Sequence, residues 1–290
     1  MTSFVILVVN WFSKIPGWAA LSLIMNGLLF AALIALWQNQ ASLSRTAILH
    51  QTSASVTDVL GGSEPMVVPT DIADMRHLNY QEWVELLQQK TDAMVAQQPE
   101  HLTILLGDSL SLWFPPELMP GRRAWLKQGI SGEKTNGLIN RLALLDDAKI
   151  ETIFLMIGIN DLIWGQTDDQ FIDNYRAIVS YLTQNHPESQ IVIQSLLPHG
   201  GEASIWESKH LLLELPVERV KAINAALHKI ADDYDAYYLD LYPLFSTGEG
   251  TLRPDLTTDG LHLNRQGYLV WRSAIALYAQ LELTESRRLE

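Results

Sequence analysis

The 290-residue chain contains no cysteine. That absence excludes a disulfide framework, cysteine metal sites and a thiolate nucleophile, while leaving the redox compartment open. Positive charge is also scarce: 20 Lys and Arg stand against 33 Asp and Glu, a formal net charge of −13. A nucleic-acid binder needs a basic stripe to grip phosphates, so that class of partner is set aside. No Gly-x-Ser-x-Gly elbow, no His-Glu-x-x-His zinc motif and no internal repeat occurs.

Charge is unevenly spread. No Asp or Glu precedes Asp58, and the run WAALSLIMNGLLFAALIALW, from Trp18 to Trp37, has no charged residue at all. At about 1.5 Å per helical residue such a run crosses a hydrocarbon core of roughly 30 Å, and a Trp at each end suits the membrane interface. It predicts a transmembrane helix. The run is longer than a signal-peptide core of roughly 7–15 residues, and Asn39-Gln40-Ala41 is a poor cleavage site, so a retained anchor is expected rather than a cleaved signal. Lys14 and Arg45 balance one another on the flanks. With the amino terminus inside, the protein is a single-pass membrane protein whose main domain lies outside the cytoplasm.

Residues 38–77 are polar, Ser/Thr-rich and aperiodic, as in a tether. Beyond them, 78–290 alternates in period. Helical spacing marks Tyr80–Gln97, Glu133–Asp147, Asp169–Asn185, Val217–Asp233 and Arg265–Leu281, and short β-rich runs mark Leu102–Leu106, Ala124–Lys127, Thr152–Ile157, Ile191–Leu197 and Ala236–Leu241. Strands alternating with helices predict an α/β domain with a parallel five-stranded sheet covered on both faces, whose chemistry gathers at the carboxyl ends of the strands.

Those ends hold complementary groups. The first strand leads into Gly107-Asp108-Ser109-Leu110, the second into Gly129-Ile130-Ser131-Gly132, the third into Gly158-Ile159-Asn160-Asp161, and the last loop carries Asp259-Gly260-Leu261-His262. Acyl transfer needs this set. A serine hydroxyl becomes a nucleophile when an imidazole takes its proton, and the imidazole needs a carboxylate to fix its tautomer. The oxyanion needs preorganised donors, for which the N–H groups of Ser109 and Gly132 and the amide of Asn160 are the candidates, Gly132 being expected at the head of a helix.

In this order the four blocks resemble the SGNH hydrolases, the GDSL esterase/lipase family, over roughly Leu102 to Leu281. The segments GISGEKT, LLPHG, YLDLYPLF and DGLHLNRQGY are most similar to its platelet-activating-factor acetylhydrolase catalytic-subunit branch, with Gln128 standing where relatives often show Arg or Ala. The resemblance implies a three-layer α/β/α flavodoxin-like domain with no metal or organic cofactor. It also implies a nucleophile at Ser109, oxyanion donors at Gly132 and Asn160, and a base and its orienting carboxylate at His262 and Asp259.

Asp74-Met75-Arg76-His77 also spells Asp-x-x-His, but it precedes the first strand, so position favours His262. His199 and Trp113 lie near the same edge as candidate substrate contacts, while Asp108 and Asp161 are read as turn carboxylates rather than metal ligands. The segment from Leu110 to Met119 fits either an acyl pocket or a lid on the core. The expected activity is hydrolysis of carboxylic esters with short acyl or acetyl groups, on a small-molecule, glycan or lipid ester. Two alternatives stay open: O-acyl transfer to an envelope glycan at the same site, and a non-catalytic membrane-tethered glycan- or lipid-binding module. Nothing in the sequence sets the oligomeric state.

Overall fold

The computed structural model describes residues 78–283. The predicted anchor, the tether and the Asp74/His77 pair lie outside the described residues. Among the described residues no helix is long and apolar enough to cross a membrane.

Five parallel strands form the central sheet: β1 (Leu102–Gly107), β2 (Ala124–Gly129), β3 (Thr152–Met156), β4 (Gln190–Gln194) and β5 (Tyr237–Leu239), in the order β2-β1-β3-β4-β5. β1 and β3 are buried along their whole length, which is why both read as mostly apolar runs instead of alternating with polar residues. The helices are α1 (Tyr80–Gln97), α2 (Ser109–Leu112), α3 (Thr135–Ile139), α4 (Ile159–Ile163), α5 (Asp168–Asn185), α6 (Lys209–Leu213), α7 (Val217–Asp233), α8 (Tyr242–Phe245) and α9 (Arg265–Tyr278).

Local chemistry sets the helix starts. Asn79 and Glu82 form a reciprocal capping box on α1, Thr167 caps α5, and Asn264 caps α9 through Gly267 N–H at 2.9 Å. Asp168 and Asp169 add negative charge at the positive end of α5. The apolar stripe of α5, Phe171, Tyr175, Ile178, Val179 and Leu182, is fully buried, at roughly 1.5–3 kcal/mol for each such aliphatic or Phe side chain.

Successive side chains of β2 divide the layers. Gln128 faces α1, bonding to Thr91 Oγ1 at 2.8 Å and to Arg141, whereas Lys127 faces the β1–β2 connection and bonds to the carbonyls of Leu112 and Phe114. On that second face Phe114 packs against Tyr268 and Trp271 of α9. Helices therefore cover both faces, and the residues following β1, β2, β3 and β4 collect at one sheet edge.

Four predicted elements differ, one of them β5, which is cut to Tyr237–Leu239 from the expected Ala236–Leu241. The expected helix Glu133–Asp147 is interrupted after Ile139 and resumes as a 3-10 turn over Leu142–Leu145, because Arg141 turns inward to bury its guanidinium. β4 stops at Gln194 and not at Leu197. Past it Asn224 of α7 replaces a strand neighbour, its Oδ1 accepting from Leu196 N–H at 2.8 Å and its Nδ2 donating to Leu196 C=O at 2.9 Å. The last helix ends at Tyr278, followed by a π turn over Ala279–Leu283.

Candidate active site

The nucleophile segment depends on two strand-end glycines. Gly107 and Gly129 are register partners, and a Cβ on Gly129 would sit 2.5 Å from Asp108 C=O and 2.6 Å from Leu112 N. Only a residue without a side chain lets the α2 turn settle onto the strand ends. Asp108 caps that turn, its Oδ1 accepting from Leu110 N–H at 3.0 Å. Its carboxyl is buried, and burial, with the nearby Glu133 and Asp161 carboxylates, pushes its pKa up to about 7 against the Leu110 hydrogen bond.

Ser109 opens α2. No acceptor takes up its N–H among the described residues. Immediately beyond it the chain divides its tasks: Leu110 and Phe114 are buried in the core, while Trp113 is 44% exposed. The segment left open between acyl pocket and core lid is thus core at those two positions and surface at Trp113.

On the oxyanion side, Gly132 adopts φ +74°, a left-handed conformation that suits glycine. It lies in a turn before α3 begins at Thr135, so the expected place at the head of a helix is corrected: the turn, not the helix dipole, aims its N–H. That N–H has no protein acceptor among the described residues. Asn160 Nδ2 donates to Glu133 C=O at 3.1 Å, which sets its amide beside Gly132 and leaves the second N–H of that amide for another acceptor.

Below this turn runs a chain of buried polar groups. Asp161 receives Thr135 N–H at 3.0 Å and Thr135 Oγ1 at 2.5 Å, and Asn174 Nδ2 donates to the same hydroxyl at 2.9 Å. Burial raises the Asp161 pKa, which those hydrogen bonds oppose. Arg141 grips Glu133 with Nη2 to Oε2 at 2.5 Å and Nε to Oε1 at 2.9 Å, both side chains being almost wholly buried. The same guanidinium donates to the carbonyls of Gly107 and Gln128 at the ends of β1 and β2. From α1, the Tyr80 hydroxyl donates to Glu133 Oε1 at 3.1 Å, and burial together with that carboxylate pushes its pKa up to about 12. Gln128 is the hub joining Arg141 to α1.

The base side is built from backbone and neutral contacts. Asp259 Oδ2 accepts from His262 Nδ1 at 2.8 Å, and its Oδ1 from the N–H groups of Leu261 (2.9 Å) and His262 (2.7 Å). Burial works to raise the Asp259 pKa, but these hydrogen bonds outweigh it and hold the carboxyl below its ordinary range. The Asp259 carbonyl receives the N–H groups of Ile205 and Trp206 and the Ser204 hydroxyl, and Gly200 N–H donates to Gly260 C=O at 2.7 Å. The loop after β4 therefore clamps the Asp259–His262 turn.

Trp113 stacks on His262, with ring centroids 5.0 Å apart and planes 22° off parallel. Ser109 and Trp113 are four residues apart on one helical turn, so their side chains share a face. The indole lying on the imidazole thus turns the Ser109 side toward His262. Tyr268 Oη to Leu110 C=O (3.2 Å) and Arg265 to Glu117 (2.7 Å) tie the same two segments. No hydrogen bond joins Ser109 Oγ to His262 among the described residues; such bonds are often long until substrate arrives.

His199 is placed differently from a substrate contact. It is 3% exposed, its Nε2 bonds to Leu215 C=O at 2.8 Å and its Nδ1 accepts from Gly201 N–H at 3.2 Å, so both ring nitrogens are committed to backbone. It shapes the clamping loop. A small apolar pocket beside the nucleophile is lined by Leu110, Met156, Ile159, Leu197 and Leu261, with Asp108 in its wall. Among the described residues no group of three or more His, Asp or Glu side chains is arranged to hold a metal ion.

Residues 105–270 match the family described as GDSL-like Lipase/Acylhydrolase. The chain is 27% identical over 217 residues to platelet-activating factor acetylhydrolase IB subunit alpha1 of Bos taurus, covering 72% of this chain and 86% of the relative. Its Homo sapiens counterpart gives the same figures. Among solved structures, a GDSL-like lipase from Bacteroides thetaiotaomicron superposes with a TM-score of 0.56 at 17% identity, over 68% of this chain and 98% of that one.

Proposed function

The chain belongs to the GDSL-like Lipase/Acylhydrolase family, and from that premise we propose that it hydrolyses carboxylic esters of short acyl groups through an acyl-enzyme on Ser109. The observation that carries this reading is the His262 ring, its Nδ1 bound to Asp259 and its face against Trp113, with Nε2 left without a protein partner among the described residues. That is the arrangement a general base requires.

Ser109 Oγ attacks the ester carbonyl carbon as its proton passes to His262 Nε2. Asp259 keeps the other ring nitrogen protonated and steadies the imidazolium. The carbonyl oxygen, now negative, is received by the N–H groups of Ser109 and Gly132 and by the Asn160 amide. Collapse of the tetrahedral intermediate breaks the bond to the alcohol oxygen, which leaves with the proton from His262. Water then attacks the acyl carbon and gives its proton to His262. Collapse releases the carboxylic acid and returns the proton to Ser109.

The short acyl group is supported by the relatives, whose name is that of an acetylhydrolase. The uncharged Trp18–Trp37 run supports a single-pass anchor, and partition of the full chain into a carbonate-washed membrane pellet tests it. The chemistry is tested with Ser109→Ala on p-nitrophenyl acetate. The expected result is loss of turnover and of fluorophosphonate labelling with the melting temperature unchanged; turnover at the native rate would overturn the assignment.

A further inference from the structure

We propose that Trp113 is a positioning residue: its indole face holds the His262 ring at its working angle and meets the charge that ring acquires, and Lys127 is the strut that fixes the indole. This rests on the reading of His262 as the general base.

Trp113 is placed with unusual care for an exposed side chain. Lys127 Nζ donates to Leu112 C=O and to Phe114 C=O, each at 2.8 Å, the two carbonyls that bracket Trp113. Lys127 forms no ion pair among the described residues, and burial lowers its pKa to about 8. The ammonium is partly buried, and its donors are spent on two backbone carbonyls of one short segment. On one side Phe114 is wedged against Tyr268 and Trp271, with centroid distances of 5.2 Å to each. On the other, Trp113 N–H is bonded to Ser109 C=O at 3.0 Å. The backbone of Trp113 is thus fixed from both directions, yet its ring stays out of the core and covers an imidazole.

Asp259 fixes only one in-plane direction of that imidazole, through Nδ1. The ring can still tip about this bond, which would swing Nε2 away from the nucleophile. An indole stacked at 5.0 Å removes that freedom. When the ring takes the serine proton it becomes a cation lying on the electron-rich face of Trp, an attraction greater in the charged transition state than in the resting enzyme. An interaction of that kind raises kcat more than it changes substrate binding.

A substrate contact and a positioning residue leave different kinetic traces. For Trp113→Ala we expect a loss of about 10-fold in kcat on p-nitrophenyl acetate and butyrate alike, equivalent to about 1.4 kcal/mol. KM should stay within about 2-fold, and fluorophosphonate labelling of Ser109 should slow by the same factor. Trp113→Phe, which keeps a stacking face, recovers most of the loss. Lys127→Met, which keeps both aromatic side chains but frees the two carbonyls on either side of Trp113, lowers kcat in the same direction. An unchanged kcat in Trp113→Ala, or a loss confined to KM that varies with acyl length, would overturn the proposal; an unchanged kcat in Lys127→Met would remove the strut from it. Ser109→Ala is assayed alongside. If it remains active, the serine mechanism and this proposal fall together, whereas an inactive Ser109→Ala beside a fully active Trp113→Ala defeats the role of Trp113 alone.

Discussion

The two halves of the candidate site are held by different physics. The Gly132 turn rests on buried charge: Arg141 with Glu133, and Asp161 with Thr135, with Gln128 tying Arg141 to α1. The Asp259–His262 turn rests on backbone hydrogen bonds from the loop after β4 and on an aromatic stack, and its side chains remain partly exposed. Removing one member of a buried pair strands a charge in a low-dielectric interior and costs folding energy. Removing a partly exposed hydrogen-bonding group strands nothing, since water reaches it. The first half should therefore report mutations as lost stability and the second as lost rate.

The largest effect expected under this division is on the base side. In Asp259→Asn the amide oxygen can still accept from Leu261 and His262 N–H, but the amide nitrogen facing His262 Nδ1 demands an acceptor there. That forces the proton onto Nε2, where it blocks general-base action. A fall of about 10⁴-fold in kcat/KM is expected with the melting temperature held; a variant that melts early instead would erase the contrast between the halves.

Next in size is Arg141→Met, which leaves Glu133 ionised without its partner. A loss of about 3–5 kcal/mol in chemical denaturation is expected, with fluorophosphonate labelling of the folded fraction kept. Native stability in that variant would show that the buried pair is dispensable and the comparison misplaced.

A further effect, at the cap of α2, shows itself in pH dependence. The Asp108 pKa is raised to about 7 in the fold, from about 4 in the unfolded chain. The unfolded chain therefore releases this proton first as pH rises. The stabilising contribution of the protonated carboxyl is complete below about pH 4 and is lost as pH climbs to about 7. Asp108→Asn keeps an acceptor for Leu110 N–H and cannot ionise. Its melting temperature should fall less than that of the native protein between pH 4 and pH 7, and identical slopes would show that Asp108 does not titrate in this window.

The same division explains which parts of the site could be read from the sequence. Ser109, Gly132 and Asn160 each sit in a short local pattern just after a strand, a place that hydrophobic periodicity locates, and Asp259/His262 form a short local pattern in the loop before the last helix. Arg141 and Glu133 carried no such signal. They are eight residues apart, and in the helix expected over 133–147 their side chains would have lain more than two turns from one another. They meet because Glu133 precedes α3 and the chain breaks after Ile139. His199 misled in the opposite sense: it lies near the right edge, but its ring nitrogens face Leu215 and Gly201, a matter of loop direction that composition does not encode.

By itself the sequence determined the parallel α/β layout and the order of the chemical groups along it, because periodicity and turn residues act over a few neighbours. The stretch after Ser109 shows where that reach ends. Leu110, Trp113 and Phe114 are all apolar, and no local rule separates them. Only packing against α9 decided that Leu110 and Phe114 enter the core while Trp113 turns outward onto His262, since that choice depends on a helix more than 150 residues away in the chain.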